Sequence, residues 1–300
     1  MDNEKAAVRL SPLNNMVFAC IFQNDRAKPA MLEFLNAILK SVGEELISDI
    51  LEIKSEYSLL GESAGQKYGR LDVRVKGASG RLFDIEVQID KDYMNERGYF
   101  YGGRMVFDEF EAGTSYDSIP QVCVINITDF YVRDGSREIV EPVGLMYKNA
   151  PVQEATEAFV MYHIQLPEFR RDHKTFESVK DDPFFTWLYM LDQGYKDEEE
   201  MKMFSQMSEG MRNFAEQYGI ALSDPTLLRR YRMAMDAERE EATRISVAEK
   251  RGKKIGEVIG EERGTEKNKR EIAKRMKADG MDYAIISKYT GLSVGEIEEL

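Results

Sequence analysis

Two segments of the chain carry acidic side chains on what are predicted to be neighbouring strands. In residues 71–76 apolar and polar side chains alternate, and residues 83–89 alternate in the same way. Alternation with period two is typical of half-buried strands, and the Gly-Ala-Ser-Gly sequence between the segments predicts a hairpin turn. The acids of interest are Asp72 in the first segment and Glu86 in the second, where Gln88 follows two residues later.

The register of this hairpin follows from the requirement that both apolar faces lie on the same side of the sheet, since a one-residue slip inverts a strand. The loop must then have an odd length. A three-residue loop over residues 78–80 meets this condition and has glycine at its last position, where the backbone needs a positive φ. The register sets Arg74 opposite Asp84 and Asp72 opposite Glu86. Facing carboxylates repel each other, and a divalent cation between them would remove the repulsion.

The pattern of Asp72 followed by Glu86-Val87-Gln88 resembles the signature of the PD-(D/E)XK nuclease superfamily, in the variant found in recombination-promoting nucleases and transposase-related proteins. The resemblance implies that Asp72, Glu86 and the carbonyl of Val87 bind Mg²⁺ or another divalent cation, for which oxygen ligands are suited. It also implies that Asp72, Glu86 and Gln88 form the catalytic set of a DNA endonuclease associated with recombination or transposition. In such sites the cation polarises the phosphate and activates a water molecule, which the third residue helps to position.

Two other interpretations of these residues remain open. Acidic side chains on an alternating strand are also what a solvated outer face carries. In addition, Gln88 occupies a position where the superfamily usually has lysine, and an amide lacks that charge. A catalytically degenerate nuclease fold, acting as a DNA- or protein-binding accessory in transposition, is therefore the alternative function. His163 and His173 are the two histidines, and because they lack partners at ligand spacing we interpret both as structural.

Segments around the hairpin extend the resemblance. The opening FACIFQNDRAKPAMLEFLNAIL has an F-x-x-x-F turn and then a helix ending in Leu-Asn-x-x-Leu. Glu33 in that helix is either the acid that many of these enzymes place before the sheet or a surface glutamate. Residues 93–112 predict a helix on which Arg97, Tyr101 and Arg104 share one face. These three side chains either contact phosphates and neighbouring carboxylates or belong to a solvated face.

The order of predicted elements is helices, a strand, the hairpin, a helix and two further strands near residues 120–130 and 159–166. This order predicts an α/β fold with a mixed sheet flanked by helices, like that of restriction endonucleases, followed by a helical C-terminal region. The boundaries that we expect are a nuclease-like core over 1–170, a helical extension over 171–236, a charged glycine-containing linker or helix over 237–270, and a short helix-turn-helix-like tail over 271–300.

Composition limits the setting in which the protein acts. The net charge of −13 counts against strong non-specific binding of duplex DNA, but a nuclease with a metal site remains compatible with it. Two cysteines, Cys20 and Cys123, do not form a disulfide framework, and no apolar run reaches the roughly 20 residues of a membrane span. We therefore expect a cytoplasmic protein that contacts no membrane, and the resemblance to PD-(D/E)XK nucleases implies DNA as its partner. Because cutting both strands takes two active sites, we also expect a homodimer or a higher homo-oligomer.

Overall fold

The computed structural model describes residues 10–55, 73–88, 91, 93–109, 113 and 115–300. The chain divides into two compact units, one ending at Tyr231 and one running from Arg232 to Leu300. Within the part of the chain that is described, no helix is both long and apolar enough to cross a lipid bilayer.

The elements of the first unit follow one another as helices, strands and again helices. In chain order they are α1 (Asn15–Phe22), α2 (Lys28–Ser41), β1 (Ile50–Ser55), β2 (Val73–Gly77), β3 (Leu82–Gln88), α3 (Met94–Glu109), β4 (Val122–Thr128), β5 (Val140–Gly144), β6 (Met146–Tyr147), β7 (Ala150–Glu154), β8 (Phe159–Gln165), α4 (Leu166–Asp172), α5 (Pro183–Gln193), α6 (Glu198–Met207) and α7 (Glu209–Ser223). The division between the units falls within α8 (Pro225–Ala278).

A mixed sheet of six strands, in the order β1-β2-β3-β4-β8-β5, forms the centre of the first unit. Strands β1 to β3 are antiparallel neighbours, β3, β4 and β8 run parallel, and β5 returns antiparallel at the edge. Parallel neighbours need a crossover connection, and the segment containing α3 provides it between β3 and β4. The prediction of an α/β fold with a mixed sheet flanked by helices, like that of restriction endonucleases, is confirmed.

The hairpin of β2 and β3 has the predicted register. Arg74 lies opposite Asp84, and Gly80 at the end of the turn has a φ of +86°. The parity argument is therefore confirmed for the part of the hairpin that the structure describes. Residues 56–72 lie outside that part, so the pairing of Asp72 with Glu86 stays a prediction.

Helix α3 approaches β4 and β8 closely because it has glycines on the contacting face. A Cβ atom at Gly98 would lie 2.7 Å from Sδ of Met161, and one at Gly102 would lie 2.3 Å from a ring carbon of Phe159. A Cβ atom at Gly103 would meet no described atom within 4 Å. Gly98 and Gly102, which lower the intrinsic helix propensity of this segment, are thus needed where the helix touches the sheet.

Helices from both ends of the first unit share an aromatic core. Trp187 of α5, the only tryptophan of the chain, is fully buried. Its ring centroid lies 5.6 Å from that of Phe34 in α2 and 5.6 Å from that of Phe214 in α7. The helices that follow residue 170 therefore pack against the N-terminal helices instead of forming a core of their own.

Glu33 of α2 binds the start of α7. Its carboxylate accepts hydrogen bonds from Oγ of Ser208, at 2.5 Å, and from the backbone N–H of Gly210, at 3.0 Å. Free backbone N–H groups at a helix N-terminus attract such acceptors. Glu33 is therefore a half-buried capping residue that joins two helices, a role that the two alternatives given for it above did not include.

The second unit contains most of α8 together with α9 (Tyr283–Thr290) and α10 (Val294–Glu298). Residues 237–270, predicted as a linker or a helix, are helical within α8. Ser293 and Glu296 form a capping box at the start of α10. A small apolar core holds the three helices together, formed by Ala273, Ile286, Leu292 and Ile297.

Replacing Gly102 by alanine should destabilise the first unit, whereas the same change at Gly103 should not. Gly102→Ala overpacks the contact with Phe159 and should cost about 1–3 kcal/mol. Gly103→Ala adds helix propensity at an exposed site and should contribute up to about 1 kcal/mol. Urea unfolding of both variants and of the wild type measures the change in the free energy of unfolding. Equal changes for the two substitutions would contradict the close approach of α3 to the sheet.

Candidate functional site

Strand β3 carries two acidic side chains on the face of the sheet that α3 covers. Asp84 is 0% exposed and Glu86 is 2% exposed. They share a face because they are two residues apart on a strand, and Leu82 on the same face packs against Met105 of α3. The predicted half-buried pattern is correct for β2 and wrong for β3, because α3 covers the polar face of that central strand. Glu86 does not belong to a solvated face.

The structure describes the side chain of one of the three predicted catalytic residues, Glu86. Asp72 lies outside the described residues. Gln88 is the last residue of β3, where its backbone pairs with Thr128 of β4, and its side chain is outside the description. Val87, whose carbonyl is the predicted metal ligand, lies between Glu86 and Gln88 in β3. The grouping of Asp72, Glu86 and Gln88 around one cation therefore stays a prediction.

Arg97 of α3 extends to Glu86. Its Nη2 atom lies 3.8 Å from Oε2 of Glu86, beyond the roughly 2.7–2.9 Å of a charge-assisted hydrogen bond, so this contact supplies positive charge to the buried acid. Arg104, predicted on the same helix face, forms an ion pair with Asp108 at 3.7 Å. The ring of Tyr101 packs edge-on against that of the preceding phenylalanine. Among these three contacts, the contact of Arg97 is the one with Glu86.

The position of Glu86 is energetically demanding. An ionised carboxylate that is removed from water loses hydration worth several kcal/mol, and attraction to a cationic partner offsets that loss in part. A buried ion pair is for this reason weak evidence of a stabilising role. The placement of Glu86 beside Arg97 points instead to a function for the carboxylate.

A row of polar side chains crosses the sheet from Glu86. The strand register places Asn126 beside Glu86, His163 beside Asn126, and Glu141 beside His163. All four residues are at most 8% exposed. Our sequence analysis missed Asn126 as a candidate site residue. The signal that could have identified it is a single amide within the otherwise apolar run of β4.

His163 joins this row to α3. Its Nδ1 atom lies 3.2 Å from Nδ2 of Asn126, and its Nε2 atom lies 3.0 Å from Oδ1 of Asn95. An amide nitrogen donates and an amide oxygen accepts, so both contacts suit a neutral imidazole with its proton on Nε2. Burial lowers the pKa of His163 to about 4, against an opposing effect of Glu141. These contacts agree with the structural role predicted for His163.

The donor atoms on this face suit a hard divalent cation. Glu86 offers carboxylate oxygens, and Asn126 offers Oδ1, a buried atom that has no hydrogen-bond partner among the residues that the structure describes. Oxygen atoms are the ligands that Mg²⁺ prefers. The described residues hold no group of three or more His, Cys, Asp and Glu side chains able to bind a metal, and Asp72 lies outside them. Glu86 and Asn126 therefore supply the oxygen atoms of part of a cation site.

Comparison with known proteins identifies the family of the chain. The family described as PD-(D/E)XK nuclease family transposase matches residues 12–248. The chain belongs to this family. Membership in the PD-(D/E)XK family confirms the resemblance inferred from Asp72 and Glu86-Val87-Gln88, and it supports a nuclease- or transposase-related function. Neither the curated proteins nor the solved structures contained a match.

The pKa of His163 predicts how stability depends on pH. Histidine in an unfolded chain titrates near pH 6.5, whereas folded His163 titrates at about 4, so between these values the unfolded state binds more protons. Lowering the pH from about 7.5 to about 5 should therefore remove roughly 2 kcal/mol of the stability that this residue contributes. Urea unfolding of wild type and His163→Gln in EDTA measures this contribution. The carboxylates titrate in both proteins, so their effect cancels in the difference between the two free energies of unfolding. A constant difference between the two proteins across this pH range would contradict a buried neutral imidazole.

Proposed function

We propose that this protein is a divalent-metal-dependent DNA endonuclease, which hydrolyses phosphodiester bonds in recombination or transposition. The observation that carries the proposal is the carboxylate of Glu86, buried on a central strand with Arg97 at 3.8 Å. Membership in the PD-(D/E)XK nuclease family transposases supports the reaction class and implies DNA as the substrate.

In this proposal Asp72 and Glu86 bind the cation, Mg²⁺ or a similar ion, and the carbonyl of Val87 is a further ligand. A divalent cation bound there lowers the pKa of a water molecule and stabilises the charge on the departing oxygen. Gln88 orients the attacking water or the phosphate through its amide. Because that amide carries no charge, Arg97 is the residue that supplies positive charge where the superfamily usually has lysine.

The alternative function is favoured by the same residue, Gln88. Without the usual lysine, the fold could bind DNA or a protein partner in transposition and leave the phosphodiester bond intact. The two functions differ in one measurable respect, since only the enzyme cuts DNA.

The assembly and the location that we propose follow from the reaction. Cutting both strands of a duplex takes two active sites, so we propose that the active form is a homodimer or a higher homo-oligomer. Cys20 and Cys123 are both free thiols, which agrees with action in a reducing cytoplasm.

Plasmid cleavage with Mg²⁺, Mn²⁺, Ca²⁺ or EDTA tests the proposed function. We expect metal-dependent cutting by the wild type and a loss of at least about 100-fold in Asp72→Asn and Glu86→Gln, since even indirect partners of a metal contribute about 10–100-fold. Glutamine is chosen at the buried position because alanine would leave a cavity. Glu52→Gln, which removes an exposed carboxylate of β1, is the matched control and should cut like the wild type.

Each outcome of this experiment distinguishes between the interpretations. A folded Glu86→Gln protein that cuts at the wild-type rate would show that the site is assigned wrongly. A wild-type protein that binds the cation and DNA but cuts under none of these conditions would support the degenerate alternative.

A further inference from the structure

One polar atom of the Asn126 side-chain amide has a hydrogen-bond partner among the described residues, and the other has none. The residue is fully buried on β4, between Glu86 and His163 in the polar row. Its Nδ2 atom lies 3.2 Å from Nδ1 of His163, whereas Oδ1 has no hydrogen-bond partner within the described part of the chain. An unsatisfied buried acceptor costs about 1–3 kcal/mol. A native structure retains such an atom for a reason, which is often an ion or a catalytic role.

His163 fixes the orientation of this amide. Its Nε2 atom is engaged with Oδ1 of Asn95 at 3.0 Å, where it donates. A neutral imidazole that donates from Nε2 has an acceptor at Nδ1, and this acceptor selects the amide nitrogen of Asn126 over its oxygen. The hydrogen-bond chain that begins in α3 therefore determines which end of the amide is left for other partners.

The oxygen that is left points away from His163. The two terminal atoms of an amide diverge from one carbon, so Oδ1 is directed away from His163 when Nδ2 contacts it. The register partner of Asn126 on β3 is Glu86, at the spacing of neighbouring strands, about 4.8 Å. Both groups are acceptors and repel each other unless a cation or a donor lies between them.

We propose that Asn126 is a further ligand of the divalent cation site beside Glu86 and binds the cation through Oδ1. This inference rests on the proposed function, which supplies the cation. Amide and carboxylate oxygens commonly occur together around hard divalent ions. A neutral ligand also adds affinity without adding a further negative charge to a buried position.

Binding of Mn²⁺ to the full chain, measured by calorimetry, tests this assignment. The variants are Asn126→Leu, which keeps the shape of the side chain and removes the oxygen, and Asn126→Asp, which keeps an oxygen and adds a charge. Asn149→Asp is the matched control, since it makes the same change in net charge at an exposed residue between β6 and β7.

We expect the Kd for Mn²⁺ to rise about 10-fold or more in Asn126→Leu, and Asn126→Asp to bind Mn²⁺ more tightly than Asn149→Asp. A wild-type Kd in a folded Asn126→Leu protein would overturn the inference. If Asn126→Leu does not fold, Asn126→Asp decides the question, because binding no tighter than that of Asn149→Asp would overturn it as well. If the wild-type protein binds no Mn²⁺, the proposed function is overturned. If the wild-type protein binds Mn²⁺ and the Asn126 variants bind it with the same Kd, this inference alone is overturned.

Discussion

Glu86 is an acid held out of water on a central strand, and the packing around it must compensate for the hydration that the carboxylate loses. Helix α3 both excludes water from the polar face of the sheet and brings Arg97 to within 3.8 Å of the carboxylate. The same helix therefore creates the electrostatic cost and supplies part of the compensation. This coupling explains why the geometry of α3 on the sheet governs the site.

Two features fix that geometry. Gly98 and Gly102 allow the helix axis to approach β4 and β8 more closely than any residue with a Cβ atom would permit. The contact between Asn95 and His163 then anchors the first turn of the helix to β8. Arg97 follows Asn95 by two residues, so its reach to Glu86 depends on this anchor. Packing and hydrogen bonding thus determine the charge distribution in the site.

What could be predicted from the sequence was local. The register of β2 and β3 follows from parity and from Gly80 alone, because a short turn leaves few ways to align two alternating strands. That the sheet is mixed also followed from the succession of elements, although the sequence analysis did not include strands β5, β6 and β7. The burial of Glu86 could not be predicted, since it depends on where α3 packs after the crossover. Asn126 and His163 were missed as a pair because their residue numbers reveal nothing about the register of two parallel strands.

The helices after residue 170 show the same limit. Their core around Trp187 is shared with α1 and α2, and apolar stripes alone do not indicate these partners. Glu33 illustrates the consequence, because its partners lie near residue 209, far along the chain. Contacts of this kind depend on tertiary packing, and a local pattern of residue types does not contain them.

A crystal structure of the full chain grown with Mn²⁺ would show whether the buried carboxylate of Glu86 holds a divalent cation. We expect an anomalous difference peak at a ligand distance, between about 2.0 and 2.6 Å, from an oxygen of Glu86. A map in which Mn²⁺ occupies other positions, while Glu86 keeps Arg97 as its neighbour and has no metal beside it, would show that Glu86 is not a ligand of the cation.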